Sequence, residues 1–77
     1  MSLHQDLVEA AEKARTEPNL TVERLALWIS DAVYRSVQIL LSVDFAAAFI
    51  GSNGLFAATP DALAEAVIGH FRIEEML

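Results

Sequence analysis

TVERLALWISDAVYRSVQILLSV, residues 21–43, is the stretch around which the chain has to fold. On an α-helix, at about 100° per residue, Arg24, Asp31, Arg35, Gln38 and Ser42 fall in a stripe roughly 60° wide. Leu25, Leu27, Ile29, Ala32, Val33, Val37, Ile39, Leu40, Leu41 and Val43 take almost all of the remaining surface. A surface helix normally carries an apolar stripe on a polar body. The inverted proportion predicts a helix over 21–43 that is buried on most of its circumference. It would be the centre of an all-α domain of three to four helices.

Local chemistry marks where this helix starts. Thr21 is suited to N-capping, Glu23 complements the positive end of the helix dipole, and Leu20 with Leu25 fits a hydrophobic staple. Asp31 precedes Arg35 by four residues, the favourable order for an ion pair. Asp44 limits the other end. Carried on in the same helix, it would lie about 200° from Arg24, within the apolar surface, where an unpaired carboxylate is costly. A break at Ser42–Asp44 is therefore expected, with one of these two residues capping a short helix over 44–50. A straight helix to Ile50 would need a partner for Asp44.

On the N-terminal side, Leu3, Leu7, Ala10, Ala11 and Ala14 recur at helical spacing and predict an amphipathic helix over 3–16. Its alanine face would permit close approach to the central helix. Glu17-Pro18-Asn19 ends it, because proline disfavours helix at the preceding residue. On the C-terminal side, Phe45 and Phe49 are i,i+4 neighbours, Gly51 suits the residue after a helix, and Ser52-Asn53-Gly54 reads as a turn. Thr59-Pro60-Asp61 opens a last helix over 60–75. Leu63, Ala66, Val67, His70 and Phe71 would form its inner face. The alternation in residues 70–74 also fits a strand; helix is the preferred reading.

Composition bears on what the chain does. Seventy-seven residues allow one domain, 1–77, without cysteine and with 55% hydrophobic residues. Chains this short are marginally stable without disulfides, metal or oligomerisation. A surplus of apolar surface and a shortage of cover together predict a homo-oligomer, a two-fold dimer in the first instance. A membrane span needs about 20 predominantly apolar residues, and Asp31, Arg35, Asp44 and the turn at 51–54 interrupt every such run. No basic segment precedes an apolar block at the N-terminus, so no signal peptide is read there. A cytoplasmic protein is expected. The net charge is −6, with five scattered basic residues, which disfavours nucleic acid and anionic lipid as partners.

Two groups of residues stand out as candidate sites. Trp28 lies about 40° from Arg24 and about 20° from Arg35 round the helix. An aromatic between two arginines suits an interface anchor and also an indole at the edge of a core. The candidate partner face is Arg24, Trp28, Asp31, Arg35 and Gln38. Phe45, Phe49, Phe56 and Phe71 are either ordinary core or the lining of an apolar ligand pocket at or near a subunit interface.

Catalytic and metal chemistry lack their residues. His70 with Glu74, and His4 with Asp6, offer two ligands each where zinc wants three or four, so no metal or cofactor is expected. Ser30, Ser36 and Ser42 have no histidine near in sequence, and Ser52 lacks the Lys-Ser/Thr of a phosphate-cradling loop. The expectation is a non-enzymatic, homo-oligomeric protein-interaction or accessory module. A small apolar-ligand binder is the alternative, and an acidic mimic of a charged partner a weaker third reading.

Overall fold

Four side-chain caps divide the chain into its helices, as seen in a computed structural model that describes residues 2–76. Met1 and Leu77, the ends of the expected 1–77 domain, lie outside the described residues. Ser2 accepts from the Gln5 amide and opens α1 (Leu3–Ala14), and Thr21 accepts from Arg24 to open α2 (Val22–Val37). Ser42 accepts from Phe45 at α3 (Val43–Ser52), and Thr59 accepts from Ala62 at α4 (Pro60–Phe71), which has Pro60 in its first turn. Each cap satisfies one amide that the helix leaves unpaired, worth about 1 kcal/mol. Short 3₁₀ segments occupy Leu55–Ala57 and Ile73–Met76. No strand occurs among the described residues, and the fold is all-α.

The helix expected over 21–43 is shorter: α2 covers Val22–Val37, and residues 38–42 form a non-helical connector to α3. α2 stops at Val37, where Gln38 turns left-handed (φ 59°, ψ 34°) with its amide on the Tyr34 carbonyl at 2.8 Å. The break falls four residues before the expected Ser42, although Ser42 does cap the next helix. Had the helix continued, Ile39, Leu40 and Leu41 would have pointed in three directions at about 100° intervals. In the connector, Ile39 and Leu41 pack against the core while Leu40 stands in solvent. The Ser30 hydroxyl donates to the Leu41 carbonyl and clamps the connector to α2. Asp44 is then exposed in the first turn of α3, where the helix dipole favours an anion.

Burial of α2 is also more one-sided than expected. Leu25, Ala26, Ile29, Ala32 and Val33 are buried, but Leu27 and Tyr34 face solvent. The remaining boundaries move for local reasons. α1 ends at Ala14, and the Thr16 hydroxyl donates to the Lys13 carbonyl just beyond it. Gly51 lies inside α3, and the left-handed glycine of the following turn is Gly54 (φ 64°). α4 ends at Phe71 because Arg72 turns left-handed, and the reversal sends Ile73 fully into the core. His70, expected on the inner face of α4, is exposed, and Ala64 is buried there instead.

The centre is shared by α1 and α2. α1 packs against both α2 and α4, while α2 packs against α1 and α3. Leu7, Ala11 and Ala14 are wholly buried with Leu25, Ile29, Val33, Ile50, Leu63 and Val67. The alanines let the helices come close, as their small side chains suggested. The radius of gyration is 11.0 Å, against about 11.5 Å for an average domain of this length. This core is therefore covered within one copy. No described helix is long and apolar enough to cross a membrane.

Candidate functional site

Two surface regions gather the sequence-derived candidates. The first lies along α2. Arg24, Leu27, Trp28, Asp31 and Arg35 line a shallow concavity on the helix. Trp28 and Arg35 also line a groove between α1 and α2, with Asp6, Glu9, Ala10, Lys13 and Ala32. Trp28 is half-buried and forms the wall between the two hollows. Gln38, the fifth residue of the expected face, lies just past the last turn of α2, exposed at the left-handed cap.

Arg24, Trp28, Asp31 and Arg35 are each paired within the chain. Glu17 accepts from Arg24 through both carboxylate oxygens at 3.2 Å and accepts the Trp28 indole N–H. Asp31 pairs with Arg35 along the helix, as their spacing predicted. Sequence reading gave Glu17 only a helix-ending role. Asn19, left-handed at φ 58°, lies in the reversal that brings Glu17 back beside α2, a geometry asparagine tolerates better than most residues. Trp28 is thus half-buried with its N–H satisfied within the chain.

The second region is the seam between α3 and α4. These helices meet chiefly through aromatic side chains. The rings of Phe49 and His70 stack at 4.0 Å between centroids and 15° between planes. Phe71 meets Phe49 edge-on at 5.6 Å and His70 at 4.8 Å. Phe45, Ala48, Phe49, Ser52, Asn53, His70 and Phe71 line an open depression here. Three of the four candidate phenylalanines are therefore brought together. Phe56 is not among the lining; it sits in the 3₁₀ turn and packs partly buried against the core. Sequence reading missed the contribution of His70, because its neighbour Phe49 comes from another helix.

His4 lies 3.5 Å from Asp61 on α4, bridging helices instead of joining Asp6. Among the described residues no group of three or more histidine, aspartate or glutamate side chains converges as a metal site. No protein-family model, curated protein or solved structure matches this chain.

Proposed function

We propose that the chain is a non-enzymatic, homo-oligomeric protein-interaction module of the cytoplasm. One observation carries the reading: Leu40 is 86% and Phe45 70% exposed, although the core is covered without them. Leu40 and Phe45 stand five residues apart, one in the connector and one in the first turn of α3, and large apolar groups left in water there suit a surface that associates. Leu27 and Tyr34 extend the apolar surface of α2 beside the paired charges of Arg24, Asp31 and Arg35. On this reading α2 and Gln38 engage a further protein, with Trp28 as the fixed anchor. Light scattering across a concentration series tests the self-association. A mass rising from one copy to two supports it, and a single-copy mass up to near-millimolar concentration rejects it.

The grouping of Phe45, Phe49 and Phe71 around one depression favours a second reading, a small apolar ligand held at that seam. Native mass spectrometry of protein purified from cells distinguishes it. A stoichiometric small molecule that is lost on Phe49→Ala would support the ligand reading.

A further inference from the structure

We infer that two copies associate by exchanging α3 and α4, with residues 38–42 straightening so that α2 and α3 become one helix in each copy. This rests on the self-association reading above and gives it a mechanism. The bend between α2 and α3 is strained: Gln38 holds it at φ 59° and ψ 34°, where a residue with a Cβ is crowded. No glycine or proline stands between Val22 and Ile50, so no residue there breaks a continuous helix. The apolar spacing also carries across the bend. Ile29 and Ala32 in α2, then Ser36 and Ile39, then Val43, Ala46 and Ile50 in α3 follow one another alternately three and four residues apart, the seam of an unbroken helix pair. Ile29, Ala32, Ala46 and Ile50 are buried, and Ile39 and Val43 pack against the core. The buried sides of α2 and α3 therefore share one face of the straight helix.

The partner is a second copy because exchange remakes contacts that the fold already has. α1 packs on α4 and α2 on α3, and both interfaces join the part before residue 38 to the part after residue 42. Val22, at the start of α2, lies beside Gly51, near the end of α3, with 4.0 Å from its Cγ1 to the place of a Cβ on the glycine. The connector joins the other ends, so the two helices run in opposite directions. Once straightened, the long helices of two copies lie antiparallel, α2 of one against α3 of the other, related by a half-turn. Leu40 then gains a place. It is 86% exposed in the single copy, but on a straight helix it falls about 160° from Arg24, between Ile29 at about 140° and Val33 at about 180°. Leu41, at about 260°, moves outward, so one leucine replaces the other at the seam. A short hinge under strain favours such exchange. The net charge of −6 on each copy opposes it, and salt screens that repulsion.

Val22→Cys/Gly51→Cys, in a chain without cysteine, tests the exchange. A Cβ on Gly51 meets nothing closer than Val22, so the pair is placed to close a disulfide. The variant is refolded from urea at low and at high concentration in high salt, oxidised, and run on a non-reducing denaturing gel beside each single-cysteine variant. Exchange puts the disulfide between chains. A linked dimer is therefore expected that grows with protein concentration and exceeds that of either single-cysteine variant. Sedimentation velocity on the native chain, refolded in the same way, supplies the mass. A native dimer whose cysteine variant closes its disulfide within one chain overturns the exchange and leaves self-association standing. A native chain that stays single up to several hundred micromolar overturns both. Substitutions at the bend give a second readout. Gln38→Gly eases the bend and weakens the helix, and should lower the association constant about tenfold or more. Gln38→Val crowds the left-handed turn while tolerating helix, and should raise the constant by a similar factor. Two variants that move dimerisation in the same direction, or not at all, reject the straightened hinge.

Discussion

The carboxylate of Glu17 accepts the indole N–H of Trp28, eleven residues later, while also holding the Arg24 guanidinium. One acid therefore fixes the loop after α1 to the first turns of α2 and sets the orientation of the tryptophan. Trp28 is the single tryptophan of the chain, so its fluorescence reports on the surroundings of this one side chain, the Glu17 contact among them.

Removing the acid separates its two roles. The Glu17 and Arg24 side chains are 26% and 51% exposed, so the ion pair is screened and worth well under 1 kcal/mol. The indole hydrogen bond to a charged acceptor is the larger share. Glu17→Ala should lower stability by about 1 to 2 kcal/mol in urea titration, with Trp28 emission shifted to the red. Glu17→Gln keeps an acceptor for the indole and should cost about 0.5 kcal/mol. Equal losses in the two variants would mean that the indole contact contributes nothing.

Gln38 occupies a conformation that favours glycine. At φ 59° and ψ 34° a residue with a Cβ is strained by about 1 kcal/mol or more, part of which glycine returns as chain entropy. Gln38→Gly should stabilise the fold by about 0.5 to 1 kcal/mol and raise Tm by roughly 2 to 8 °C in a chain of this size. Differential scanning calorimetry at one fixed protein concentration measures the shift. A lower Tm would show that the Gln38 side chain has a stabilising contact of its own.

What could be read in advance follows from how local each cause is. Thr21, Ser42 and Thr59 cap their helices through amides three residues away, and such chemistry is visible in a short window. The buried face of α1 (Leu3, Leu7, Ala10, Ala11, Ala14) is likewise plain in its spacing. The end of α2 was not legible. Gln38 has no intrinsic left-handed preference, and the contacts beyond the turn, Ser30 with Leu41 and Ile39 and Leu41 with the core, form only once the chain has folded back. The candidate sites divide in the same way. Asp31 with Arg35 is a one-helix relation, whereas Glu17 with Trp28 and Phe49 with His70 need the chain to reverse first.

The alanine face of α1 sets the spacing of the central pair. Ala11 and Ala14 have no solvent exposure, on a helix packed against both α2 and α4. Adding three carbons at the fully buried Ala11 overpacks this core. Ala11→Leu should cost at least about 1 to 3 kcal/mol despite leucine's good helix propensity. Ala62→Leu, at an exposed position of α4, supplies the surface comparison, expected within about 0.5 kcal/mol of the native chain. Chemical denaturation of the two variants decides whether close packing or helix propensity governs this face.

Ser30 offers the sharpest check on why α2 ends where it does. Its hydroxyl donates to the Leu41 carbonyl in a partly buried contact, so Ser30→Ala leaves that carbonyl short of a donor. The loss is about 1 to 2 kcal/mol, against a gain of several tenths from alanine's better helix propensity. Ser36→Ala, on the same helix, carries the propensity gain and provides the baseline. The difference between the two variants, about 1 to 2 kcal/mol in denaturant midpoints at constant slope, isolates the clamp. Hydrogen exchange gives the spatial side of the same test. With the clamp gone, amides at the start of α3 should exchange faster while those of α1 keep their protection relative to global stability. If both segments lose protection together, the connector is held by Ile39 and Leu41 in the core, and the hydroxyl is incidental to the break.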